Sequence, residues 1–105
     1  MLITTGNDLP GYQLEVIGEV FGLTVRSRNV GSDMLAGLKS LVGGELKGMT
    51  KLLADGRNQA IARLIEEAQA KGADAIIGMR FETSDLASLG TEICAYGTAV
   101  KARRA

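Results

Sequence analysis

Within TEICAYGTAV, residues 91–100, three side chains that could do chemistry stand at alternate positions: Glu92, Cys94 and Tyr96. Successive residues of a strand point to opposite faces, so this spacing sends all three out of one face. A thiolate beside a carboxylate is the beginning of a soft-metal site, because thiolates favour zinc or copper(I). A closed tetrahedral site needs four ligands, yet the chain has no histidine and one cysteine. Metal ligation by Glu92 and Cys94 would therefore have to be shared among several copies. The competing reading makes Cys94 a small buried hydrophobe. The same absences remove the ordinary Cys-His and Ser-His nucleophile pairs.

Arg57 is the second candidate. It follows Gly56, with Asp55 and Gln59 close by in a helical stretch. It could hold a carboxylate or phosphate in a cleft between copies, or pair with Glu92, Glu45 or Glu82 across a subunit boundary. The run Gly43 to Met49 has the outer glycine spacing of a phosphate loop. Met49 and Thr50 stand where that loop requires Lys and Ser/Thr, and the missing lysine argues against it. Glu45 would instead complement the positive end of a helix dipole. Glu15 and Glu19 lie about 13 Å apart along a strand, too far for a carboxylate dyad. They read as a wet face, and Arg80 with Glu82 reads as solvated or interfacial pairing.

These side chains belong to a chain of 105 residues, the size of one domain, here 1–105. It is 46% hydrophobic and 23% charged, a balance that supports a core and argues against disorder. Twelve basic and twelve acidic residues cancel, so no net field draws nucleic acid or acidic lipid. Two Tyr and two Phe offer little for base stacking. The amino-terminal MLITTGNDLPGYQ has neither the basic start nor the apolar run of a signal peptide, and no stretch is apolar enough for a membrane span. A single cysteine fits a reducing compartment, so the cytoplasm is expected.

Alternation and helical periodicity then place the elements. Residues 2–5 read as an opening strand, followed by turns at Gly6-Asn7-Asp8 and Pro10-Gly11. From Tyr12 the residues Leu14, Val16, Gly18 and Val20 share a face. After Gly22 the apolar parity passes to Phe21, Leu23 and Val25, which predicts a bulge or bend at Gly22. Ser32 or Asp33 can cap a first helix carrying Met34, Leu35, Leu38, Leu41 and Val42. A second helix spans about 45–71, with Leu46, Met49, Leu52, Leu53, Ala60, Ile61, Leu64, Ile65 and Ala68 as its apolar stripe, and Gly72 ends it. Two strands close the chain, 73–84 with Ala75, Ile77, Met79 and Phe81 on one side, and 91–100. The order β, β, α, α, β, β predicts an α+β fold with a small antiparallel sheet and two helices.

Length makes the second helix conspicuous. It would span about 40 Å at 1.5 Å per residue, against a radius of gyration of about 13 Å for a compact domain of this size. Part of it should overhang the subunit while its apolar positions run almost end to end. Gly48 and Gly56 each weaken a free helix by about 1 kcal/mol; they suit a place where another helix crosses closely. Self-assembly through the helices is the expectation.

Taken together, the joint GGELKG, the segment LLADGRNQAIARLIEEAQAKGADAIIGMRF and the closing TEICAYGTAV resemble the YbjQ family, small bacterial proteins that carry a heavy-metal-binding label. The resemblance runs from ITTGNDLPGY to YGTAVKA. It implies a dodecin-like α+β subunit that assembles as a homopentameric ring around its helices. It carries over Gly43, Gly44, Glu45, Arg57, Gly72, Gly78, Glu92, Tyr96 and Gly97 as family-like positions. The function expected is a homo-oligomeric binding module for a heavy metal or small ligand at subunit junctions, with the cofactor unknown and a metal ion as the candidate. Two alternatives stand beside it. One is an enzyme with an intersubunit site built from Glu45, Arg57, Glu92 and Tyr96; the other is a purely structural assembly component.

Overall fold

The structure is a computed structural model that describes residues 1–26, 47–86 and 90–105. Its elements are β1 (Leu2–Ile3), β2 (Tyr12–Arg26), α1 (Lys47–Ala70), β3 (Ala75–Asp85) and β4 (Thr91–Arg104). The four strands form one sheet in the order β1-β3-β4-β2, and α1 lies across it. No helix among the described residues is long and apolar enough to cross a membrane.

This architecture corrects the two-helix, all-antiparallel expectation. The described residues hold one helix, and the sheet is mixed: β1 runs parallel to β3, with Leu2 beside Ala75, while β2–β4 and β3–β4 are antiparallel. Apolar alternation shows that a segment is a strand but carries no record of which neighbour it joins or in which direction. The helix expected over Met34–Val42, its cap at Ser32 or Asp33, the Gly43-Gly44 joint and Glu45 lie outside the described residues.

The parity switch in β2 is real but falls elsewhere. The register slips between Val16 and Gly18, whereas Gly22 sits in regular register with Ala95. Leu14 and Val16 therefore share a face with Phe21, Leu23 and Val25, and Val20, Gly22 and Thr24 turn toward α1. A second slip between Ile77 and Arg80 contains Gly78 at φ +60°. It separates Ile77 from Phe81, which the sequence put on one side: Ile77 packs with Leu9, Ala75 and Val100, and Phe81 packs under the helix.

The main core lies between α1 and the sheet. Ala60, Leu64 and Ala68, at four-residue spacing on the helix, meet Val20 of β2, Ile76 of β3 and Ile93, Ala95 and Ala99 of β4. The small residues of β4 let the helix settle close. Gly22 shows how close: a Cβ there would strike the backbone at Ala60 O and Leu64 N. At Gly56 a Cβ would come within 2.6 Å of Ile93 Cδ1. That glycine serves the crossing of helix over sheet, where the sequence suggested another helix. Thr24, the one buried polar residue among the described residues, donates its hydroxyl to Gln59 Oε1 at 2.6 Å. Gly72 adopts φ +77° and stops α1, its amide bonding Gln69 O at 3.0 Å while the Ala73 amide bonds Ala68 O at 3.0 Å.

The helix is 24 residues, about 36 Å at 1.5 Å per residue. From Thr50 on, its buried residues lie at Gly56 and beyond, whereas Leu53 is 44% exposed. The amino-terminal portion thus carries apolar surface that its own sheet does not cover.

Candidate functional site

The side of the sheet away from α1 collects most of the chemistry. Register places cross-strand rows there: Phe21–Tyr96–Arg80, Leu23–Cys94–Glu82 and Val25–Glu92–Ser84, with Glu19–Thr98–Ile77 beyond them. Cross-strand partners share a face, so Glu92, Cys94 and Tyr96 are joined by Glu19, Glu82 and Arg80 and by three apolar side chains of β2. Leu9 and the residues packed on it cover one end of this face. Beyond that cover, Val16, Phe21, Leu23 and Val25 are exposed, Val25 to 53%.

Cys94 sits half-buried at the centre. Burial pushes its thiol above the ordinary value, and the charges of Glu92, Glu82 and Glu19 push it further in the same direction. The group is therefore a protonated thiol at neutral pH, unsuited to act as a nucleophile. Its folded-state pKa exceeds the unfolded one, so as pH rises the unfolded chain loses its proton first. The stability that this difference contributes is present at neutral pH and falls in the alkaline window above the unfolded thiol's pKa. Iodoacetamide should alkylate Cys94 in the folded protein more slowly than it alkylates a free cysteine at pH 8, and Cys94→Ala should leave neutral-pH stability within about 1 kcal/mol of the original. A rate equal to that of the free thiol would contradict this environment.

Arg57 lies on the other face. Its guanidinium stacks over the Phe81 ring, 4.7 Å from the centroid, in a cation–π contact on the helix side of the sheet. Of the four residues proposed to form one site, the structure sets Glu92 and Tyr96 on one face, about 13 Å apart along β4, and Arg57 across the sheet from them, while Glu45 lies outside the described residues. An active site using Arg57 with Glu92 and Tyr96 would need two copies. Sequence reasoning missed Glu19, Phe21 and Leu23 as neighbours of Cys94. The alternation that carried them was visible, but their shared face depends on the slip at Ile17. A separate cleft of about 430 Å³ is flanked by Glu15, Asp74, Lys101 and Arg103. Its charges are mixed, and Asp74 Oδ2 is already engaged by the Ala102 amide at 2.9 Å.

The class of protein is thus a small α+β domain in which, among the described residues, one helix covers one face of a four-stranded sheet and the other face exposes Val16, Phe21, Leu23 and Val25. The chain belongs to the YbjQ family: the model of that family, described as "Putative heavy-metal-binding", matches residues 1–103. It is 61% identical over 105 residues to a UPF0145 protein of Streptomyces coelicolor, covering 99% of each chain. It is 49% identical over 102 residues to a UPF0145 protein of Vibrio parahaemolyticus, covering 96% of this chain and 97% of that one. A crystal structure of a protein with unknown function, of the DUF74 family from Pediococcus pentosaceus, shares the fold with a TM-score of 0.65 at 18% identity, covering 98% of both chains.

The described residues of a single copy do not supply a site for the metal in the family's description. Among the described residues no group of three or more His, Cys, Asp or Glu side chains is placed to hold a metal ion.

Proposed function

We propose that the protein works as a homo-oligomeric binding module whose copies meet over the bare sheet face and whose ligand site forms at that junction. The observation that carries this reading is the exposed apolar row Val16, Phe21, Leu23 and Val25, set beside Glu92, Cys94 and Tyr96 on one face. An apolar row of this kind is costly in water and is relieved when another surface covers it. The uncovered Leu53 on α1 supports a contact that also uses the helix. Five copies is the number the family resemblance implies. A heavy metal at such a junction would require carboxylate or thiol ligands from more than one copy; a small organic ligand would require only the apolar row and its polar neighbours.

Native mass spectrometry of protein purified without added metal tests this directly. The expected spectrum shows an integral multiple of the chain, with any retained ion or small molecule adding its own mass. Phe21→Glu should shift the distribution toward single chains, because it places a charge in the centre of the contact. A wild-type protein that is a single chain at micromolar concentration would end this reading.

A further inference from the structure

The two ends of α1 are used differently. From Gly56 on, the helix is committed to its own sheet: Ala60, Leu64 and Ala68 fill the core, and Arg63, Glu67 and Lys71 reach the backbone of β2 at Leu23, Phe21 and Glu19. Toward its amino-terminal end Leu53 stays 44% exposed, with Ala54 and Arg57 exposed beside it. Positions 53, 54 and 57 follow helical spacing and form one stripe, whose charge is the Arg57 guanidinium. The Phe81 ring takes the flat face of that group, and its N–H donors lie in the plane, where a carboxylate binds them. Across the sheet the charge is reversed. Glu19, Glu82 and Glu92 stand beside the exposed Phe21, Leu23 and Val25. Arg80, the cation in these rows, is already turned to the carbonyls of Thr5 and Met79, each at 2.8 Å.

Charge decides how two copies can meet on that face. Laid face to face, they would bring the carboxylates of Glu19, Glu82 and Glu92 from both copies into one covered contact, where like charges repel and each loses its water. The α1 stripe offers the opposite: an apolar side chain for the apolar row and a cation for the carboxylates beside it. We infer that the sheet face of one copy takes the amino-terminal part of α1 of the next, with Leu53 over Phe21, Leu23 and Val25 and Arg57 against Glu92 or Glu82. The dimensions agree, since Phe21 to Val25 spans about 13 Å of strand and Leu53 to Arg57 about 6 Å of helix. Helix on sheet is already the packing of the opposite face. Arg57 and Glu92 stand on opposite sides of one chain, so a contact that joins them is between unlike surfaces. Contacts of that kind run head to tail and close into a ring or extend as a filament. The inference rests on the proposed assembly over the sheet face and specifies the surface that covers it.

Sedimentation of full-length variants tests it. Phe21→Glu blocks the sheet face and leaves the stripe; Leu53→Glu blocks the stripe and leaves the face. Both positions are exposed, and glutamate is about as good a helix former as leucine, so Leu53→Glu keeps the fold. Each variant alone should need about a hundredfold more protein to assemble than the wild type, the effect of a charge stranded in a covered contact. Mixed in equal amounts, at a concentration where each is a single chain, the two should form a two-chain species. One copy's intact stripe then fits the other's intact face, and the remaining surfaces are blocked. A Leu53→Glu protein that assembles like the wild type would place the helix outside the contact and overturn the inference, with assembly over the face left standing. Two dissociated variants that give no mixed species would overturn it as well. A wild-type protein that is itself a single chain would end both the inference and the reading on which it rests. Val25→Glu replaces Phe21→Glu if that variant does not fold.

Discussion

Replacing Gly22 by alanine should destabilise the fold by about 3 kcal/mol, the upper end of ordinary overpacking costs. The added methyl would meet Ala60 O and Leu64 N of α1, and Arg63 C at 3.0 Å. Those are backbone atoms, so no side chain can rotate aside. The helix must lift from β2, and that lift loosens the contacts of Val20, Ala60 and Leu64, all fully buried. It also strains the bonds from Arg63 and Glu67 to Leu23 and Phe21, which depend on the same helix-to-strand distance. Urea titration of wild type and variant measures the loss as a fall in midpoint at unchanged slope. An unaltered midpoint would show that helix and strand do not approach as described.

Leu64→Ala should cost about 2–5 kcal/mol, the range for a truncated leucine in a closed core. Leu64 is fully buried, at the centre of the cluster formed by Val20, Ala60, Ala68, Ile76, Ile93, Ala95 and Ala99. The cost belongs at the upper end because the surroundings cannot collapse into the space. Four of those seven neighbours are alanines, too short to reach in, and the sheet behind them is held by its ladders. Thermal unfolding should fall by roughly 10 °C or more, since 1 kcal/mol moves the midpoint of a domain near this size by about 4–8 °C. A shift within 2–3 °C, about half the effect of 1 kcal/mol, would place Leu64 outside the core.

The two substitutions probe one interface, and it is where sequence reasoning was most and least successful. The apolar stripe Ala60, Leu64 and Ala68 was legible because four-residue recurrence leaves a mark in any helix. Its destination was not. Read with the length of the helix, the stripe suggested contact with other helices, yet these three residues are spent on the chain's own sheet. Gly22 marked a change in β2, but the change it marks is the close approach of the helix, while the slip occurs at Ile17. A bulge and a tight packing point both call for a small residue, and the strand alone cannot tell them apart.

The candidate site shows the same division. Glu92, Cys94 and Tyr96 were placed on a common face from their spacing, and the β4 ladder has them there. Glu19 and Glu82, whose charges raise the Cys94 thiol, belong to two other strands. Arg57 was grouped with Glu92 and Tyr96 by residue type, and the structure separates it from them by the thickness of the sheet. Charge and hydrogen-bonding capacity suggest that two groups could meet. They carry no information on which side of a sheet each will stand.

Local sequence determined the helix at 47–70, its stop at Gly72, the strands and the common direction of Glu92, Cys94 and Tyr96, because each follows from backbone geometry within a few residues. Tertiary structure decided the parallel β1–β3 pair, the face that Phe21, Leu23 and Val25 share with Cys94, and the reach of Arg63, Glu67 and Lys71 to the β2 edge. These join residues tens of positions apart. A ladder's direction and a one-residue slip are settled only when whole strands compete for partners and the helix finds the face it can bury.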